Sequence, residues 1–306
     1  MFLKHSDTGS QSHAHASRTA ELMAVQRGLE SCRRPGGRLF DDPYAPLFVS
    51  RSWRAALTAG RVRPIRRAIE AAYDRVAGPG PRASAIARTR LIDDLIEDLA
   101  PSVDQIVTLG AGYDTRPYRL KCLESRHVFE VDHPDTQQSK RAVMRSAAEE
   151  RSRSVTFVPV DFETEDLSQA LLSSGFRTER SSLFLWEGVT QYLSEEAVDS
   201  TLAAIRRISR AEDFLIFTYV DRAVLSDGAT AFPEAQRWIR GVQKRGEPWT
   251  FGLCPEGVRN FLSNRGFGLM RDVSTEEAGD RYFSPLRRAD RGSRLYHVVL
   301  ATRIDD

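Results

Sequence analysis

The chain has 306 residues, enough to bury a sizeable core as one large domain or as a core domain with a smaller lobe, which excludes a disulfide-stapled miniature scaffold. Its 44 Lys and Arg against 42 Asp and Glu leave a net charge of +2, too balanced for a nucleic-acid binder. Cys32, Cys122 and Cys254 are odd in number, widely spaced and without metal or disulfide spacing, no apolar run approaches the roughly 20 residues of a bilayer span, and "MFLKHSDTGSQSHAHAS" lacks an h-region; the expectation is a soluble, cytoplasmic chain away from membranes.

Residues 1–16 read as a flexible, Ser-rich tail, and His5, His13 and His15, without Cys or carboxylate companions, as part of that tail and not as a metal site. Residues 17–80 form an Arg-rich helical lobe broken by the turn-forming "RRPGGRLFDDPYAP". Residues 1–80 hold thirteen Lys/Arg against seven Asp/Glu. That excess reads as solvated helix faces, with a basic lobe attracting an anionic substrate as the sharper alternative.

"GPGP", Gly78 to Pro81, marks the boundary of the second unit, residues 81–306. A helix is expected over about 82–100, where Ile92, Leu95, Ile96 and Leu99 make an apolar stripe. Arg88 lies one turn before Ile92 and so points inward, while Arg90 faces Asp93 and Asp94 as a surface pair. A buried guanidinium needs a partner, either a carboxylate of a cofactor or substrate, or a structural salt bridge. Strands are expected at 104–109, 127–131, 155–160, 182–186 and 213–220 with helices between them, the pattern of a parallel sheet covered on both faces. Residues 221–253 would be a lid insertion at the sheet's carboxyl edge, followed by a helix near 255–264. "GFGLMRDVST" and "RLYHVVLATR" read as an antiparallel edge hairpin with no helix needed between them.

The chemistry gathers at the ends of these strands. In "VTLGAGYDTRPYRL" a strand runs into Gly110-Ala111-Gly112, but the third glycine of a dinucleotide fingerprint is absent and Thr115 stands there. The turn is thus either an ordinary strand-to-helix connection or one that approaches a ligand without cradling a pyrophosphate. Asp132 ends the next strand 20 residues past Gly112, where a carboxylate can accept from ribose hydroxyls, or can cap the helix after His133-Pro134. Asp161 and Phe162 after the third strand offer an acceptor and an apolar face to an adenine. "LFLWEGVTQYL" brings Trp186, which reads as core, together with Glu187 and Tyr192 to the same edge.

Taken in order, "SRTAELMAVQR", "LFDDPYA", "ARTRLID", "TLGAGYDTRPYRL", "FEVDHPDTQQSKR", "DFETEDL" and "LWEGVTQYL" resemble the leucine carboxyl methyltransferase family over roughly residues 17–303. The resemblance implies a class I methyltransferase, with an α/β Rossmann-like seven-stranded sheet ending in an antiparallel hairpin, an N-terminal helical lid and S-adenosyl-L-methionine as cofactor, released as S-adenosyl-L-homocysteine. It implies a cofactor set of Arg88, Gly110, Ala111, Gly112, Asp132, His133, Asp161, Phe162 and Glu187, with Tyr192 and Arg88 at the transfer centre and no metal. Because a carboxylate is already ionised at neutral pH whereas a phenol profits from a base, and no motif supplies a histidine base, the expected reaction is carboxyl O-methylation of a small metabolite or peptide. The alternatives are O-methylation of a phenol or hydroxyl on a polyketide-like product, a nicotinamide oxidoreductase, and a non-catalytic nucleoside-binding protein.

Overall fold

A computed structural model describes residues 9–78, 80–147, 154–162, 164–226, 228–244 and 248–305. The part of the expected tail before residue 9, with His5, lies outside the described residues, as does Glu163 of "DFETEDL".

The chain runs α1 (Gly9–Ser31), α2 (Arg51–Gly60), α3 (Arg63–Ala77) and α4 (Pro81–Leu99) before the first strand. Then come β1 (Gln105–Leu109), α5 (Arg116–Arg119), β2 (His127–Asp132), α6 (Pro134–Ala147), β3 (Val155–Pro159), α7 (Leu167–Ser173), β4 (Ser182–Trp186), α8 (Glu195–Ile208) and β5 (Phe214–Val220). The sheet has seven strands in the order β3-β2-β1-β4-β5-β7-β6, where β6 is Phe267–Ser274 and β7 is Tyr296–Arg303. The first five pair parallel, and every residue of β1 and β4 is buried because helices cover both faces. Alternation along each strand sends Ile106, Val128 and Leu183 into a core with α1 and α4, and Val107, Phe129 and Phe184 into a core with α7 and α8.

β6 and β7 pair antiparallel as expected, but they are not joined by a tight turn. β7 enters between β5 and β6, and α13 (Thr275–Phe283) lies in the connection, after α12 (Val258–Ser263). α13 starts at a capping box, in which Glu277 N–H donates to Ser274 Oγ and the Glu277 carboxylate accepts from Ser274 N–H at 2.8 Å. It is fastened to α4 by the Tyr282 hydroxyl, 2.6 Å from Asp94 Oδ2.

Two segments reach the carboxyl edge of the sheet. α1 packs Ala24, Val25 and Leu29 into the first core and is pinned by Glu30, whose carboxylate pairs with Arg33 and with Arg288 at 2.6 Å. Residues 221–253 carry α9 (Ala223–Ser226), α10 (Gly228–Ala231) and α11 (Gln236–Lys244), and return to the sheet at the Asp221–Leu253 bridge. Arg237 of α11 donates to the Arg75 carbonyl of α3 at 2.9 Å, so the 221–253 segment meets the N-terminal helices at α3. No described helix is long and apolar enough to cross a membrane.

Candidate active site

The turn after β1 places Gly110 at φ +65° and Gly112 at φ +45°, both in the left-handed region that favours glycine. A Cβ on Gly110 would collide with the Val189 side chain beyond β4, so this turn and the loop after β4 can approach only through a glycine. Three of its amides are already committed. Ala111 N–H donates to the Val131 carbonyl at 3.0 Å, Asp114 N–H to the Ala111 carbonyl at 2.8 Å, and Gly112 N–H to the Asp132 carboxylate. The other Asp132 oxygen accepts from His133 N–H at 2.7 Å. His133 thus acts on Asp132 through its backbone, while its imidazole faces Asp135 in the first turn of α6. Burial raises the pKa of the Asp132 carboxyl against the two amides that favour its charge.

Glu187, after β4, sits between two guanidiniums. Arg88 Nε donates to one carboxylate oxygen at 2.7 Å and Arg116 Nη1 to the other at 2.6 Å. Burial alone would raise its pKa, but Arg116 and Arg88 outweigh it and hold Glu187 below its usual range. Arg88 points inward as the α4 stripe requires, and of the partners weighed for it the structure supplies a protein carboxylate. Its guanidinium also contacts Met23 of α1 and lies 4.8 Å from the ring centroid of Tyr296.

Arg116 extends the network, pairing with Asp93 at 2.7 Å and Asp114 at 2.9 Å, and Arg119 donates to both oxygens of Asp93. Asp93 is therefore inside the protein with these two arginines, while Arg90 pairs with Asp94 alone of its two expected partners, at 2.7 Å. Arg27 of α1 links Asp42 to the Tyr113 carbonyl, and Thr115 Oγ1 donates to Asp42 at 2.7 Å, so α1 is tied across the turn. The sequence reading missed Arg116, Asp114, Asp93, Arg119, Arg27 and Asp42. The two arginines of "TRPYRL", one turn apart beside the glycine turn, were the available signal.

Asp161 and Phe162 follow β3 in a turn where Asp161 N–H donates to Glu165 Oε2 at 2.7 Å, and Phe162 packs half-buried on the second core. Tyr192 closes a short helical turn, Thr190–Tyr192, and is half-buried. Thr250 N–H donates to the Gln191 carbonyl at 2.8 Å, which fastens the return of the 221–253 segment to the Tyr192 turn. The carboxyl ends of β1, β2 and β4 thus bring the glycine turn, Asp132, Glu187 and Arg88 together, with Tyr192 five residues past Glu187 and Asp161 and Phe162 at the end of the outer strand β3. Trp186 is fully buried, as its core reading required.

A leucine carboxyl methyltransferase family model matches residues 20–206. The chain belongs to that family. It is a methyltransferase, and its relatives carry the same name in broader form. A Frankia alni protein named as an S-adenosyl-L-methionine-dependent methyltransferase is 35% identical over 218 residues, 71% of this chain and 73% of that one. A Streptomyces coelicolor protein with the same designation is 31% identical over 264 residues, 84% of this chain and 89% of its own length. Among solved structures, a Thermobifida fusca methyltransferase superposes with a TM-score of 0.57 at 17% identity, covering 91% of this chain and 98% of that one, which bears on the fold alone.

This family member also keeps an ion pair under its site. Glu130, two residues before Asp132 on β2, pairs with Lys140 of α6 at 2.8 Å, with both side chains almost wholly buried. Burial pushes the Glu130 carboxyl from an ordinary 4.5 up to about 7, with Lys140 opposing. A carboxyl whose pKa is higher folded than unfolded holds its proton more tightly in the folded state, so its contribution to stability is lost as pH rises from about 4.5 to about 7. Glu130→Gln is expected to flatten the melting temperature against pH across that window. An unchanged slope would assign the pH dependence to other groups.

Proposed function

We propose that this S-adenosylmethionine-dependent methyltransferase esterifies a carboxylate of a small metabolite or peptide. The observation that carries the reading is Glu187. Locked between Arg88 and Arg116 with a depressed pKa, it is a poor proton acceptor, and the His133 imidazole faces Asp135 beyond the end of β2. Such a site suits an acceptor oxygen that arrives already ionised.

The residues present fit the donor. Ala111, Gly112 and Asp114 spend their amides on protein acceptors, which leaves these groups unavailable to a pyrophosphate. Around them the carboxylates of Asp42, Asp93, Asp114 and Glu187 pair with the guanidiniums of Arg27, Arg88, Arg116 and Arg119, and the Asp132 carboxylate is held by two backbone amides, so acidic groups stand beside the turn for a cationic donor. In this reading Asp132, steadied by His133 N–H, accepts from the ribose, and Asp161 and Phe162 take the adenine. Gly110, Ala111 and Gly112 lie along the methionyl part, beside Glu187, and Arg88 meets a carboxylate. When bound, S-adenosylmethionine supplies a methyl group on an electron-poor sulfonium. The protein's part is to orient the acceptor oxygen in line and keep water out, for which residues 17–80 and 221–253 serve as lid.

Incubating the enzyme with labelled donor and cell extract tests the reaction: a carboxyl ester releases its label in mild base, whereas an aryl or alkyl ether keeps it. Tyr192, placed at the transfer centre, gives a second test. Tyr192→Phe is expected to lower kcat about tenfold, roughly 1.4 kcal/mol of transition-state stabilisation, with donor affinity within twofold of the parent. Unchanged turnover would remove Tyr192 from the mechanism.

A further inference from the structure

Beside the Arg88–Glu187 pair the carboxyl edge carries a run of aromatic side chains. Tyr296, the first residue of β7, is 2% exposed. One contact of its ring is the Arg88 guanidinium, and its hydroxyl lies 3.3 Å from Thr218 Oγ1 and 3.5 Å from the side-chain oxygen of Gln191, the neighbour of Tyr192. Trp238 of α11 stacks on Tyr296, with centroids 6.1 Å apart and planes at 12°. Trp249 meets Trp238 edge to face at 5.6 Å, and the next residue, Thr250, is hydrogen-bonded to Gln191. The series therefore leads from the charged centre out to the 221–253 segment.

Two features set these indoles apart from the packed interior of that segment. Phe232, Ala235, Ile239 and Leu295 fill the local core, whereas Trp238 and Trp249 stand half-buried at its margin. The Trp249 Nε1–H is buried yet donates to no described residue, although a buried indole N–H ordinarily finds an acceptor.

We propose that Trp238 and Trp249, backed by the buried Tyr296, wall the acceptor site, and that the acceptor is a carboxylic acid with an apolar, aromatic body. The body packs on the indoles, an acceptor oxygen takes the Trp249 N–H, and the reacting carboxylate lies toward Arg88 and Tyr192. A dicarboxylate or a polar peptide end would set charge or hydrated groups against the indoles and leave their apolar faces uncovered. The inference rests on the methyl-ester reading, and its test separates the two.

Calorimetry on the full chain saturated with S-adenosylhomocysteine compares 3-phenylpropanoate, succinate and 3-phenylpropan-1-ol. The expected result is 3-phenylpropanoate binding at least tenfold tighter than succinate, weakened at least tenfold by Trp249→Ala and less by Trp249→Phe, with S-adenosylhomocysteine affinity within twofold throughout. Trp238→Phe supplies an independent variant if Trp249→Ala does not fold. Equal binding of 3-phenylpropanoate and succinate, or full affinity for 3-phenylpropanoate in Trp249→Ala, overturns the proposal. If the alcohol binds as tightly as the acid and both are weakened in Trp249→Ala, the aromatic wall stands and the carboxylate reading beneath it falls.

Discussion

Replacing Asp93 by alanine is expected to cost about 3–5 kcal/mol of folding stability, the range for removing one partner from a buried charge cluster. Asp93 is 2% exposed and accepts three guanidinium hydrogen bonds, one from Arg116 Nε at 2.7 Å and two from Arg119 at 2.7 and 2.8 Å. Alanine would leave Arg119 with the more distant charge of Asp42 and the face of Phe40, and would leave Arg116 held only from the Asp114 and Glu187 side. Because Glu187 in turn positions Arg88, the damage should reach donor binding as well as stability. Asp93→Asn keeps the volume and one acceptor oxygen, so it should fall between alanine and the parent. Urea unfolding of the three proteins reads the effect. A loss below about 1 kcal/mol for the alanine variant would mean that the two arginines find other partners and that the cluster is not cooperative.

Local periodicity made the sheet legible and left its charged centre largely hidden. β1, β2 and β4 fall within a residue of the expected strands, because apolar runs of that length between helical segments have few other folds available. Arg88 was recoverable from its own helix, since the stripe through Ile92 fixes the direction in which it points. Asp93 was not. α4 is buried around most of its circumference, so a carboxylate that looks like the i+3 partner of Arg90 instead meets Arg116, 23 residues on and in a different element. No helical spacing encodes that contact. Tyr296, Trp238 and Trp249 were hidden for the same reason: they meet only after β7 has inserted beside β5. The helix between β6 and β7 is a different kind of miss. Ser274-Thr275-Glu276-Glu277 is a capping-box sequence, and its mechanism predicts a helix start at the position where α13 begins.

Asp132→Ala is expected to raise the dissociation constant for S-adenosylhomocysteine about 100-fold, or roughly 2.7 kcal/mol, more than any neutral hydrogen bond in the site would contribute. In the proposed reading the carboxylate does two jobs at once. Its oxygens are held by Gly112 N–H and His133 N–H, which fixes it between the glycine turn and the end of β2, and it retains acceptor capacity for the ribose hydroxyls. Alanine removes the acceptor and frees the turn, so the cost combines a lost charged hydrogen bond with a loop that must be ordered on binding. Asp132→Asn separates the two contributions: its single carbonyl oxygen can keep the turn or accept from the ribose, but not with the strength of a charged acceptor, and about a tenfold loss is expected. Calorimetry on the three proteins, with unfolding measured in parallel, distinguishes the cases. If alanine at 132 lowers stability and leaves S-adenosylhomocysteine binding intact, Asp132 is a structural brace for the turn, and the ribose must be held from another strand end, of which Asp161 after β3 is the remaining carboxylate weighed for the nucleoside.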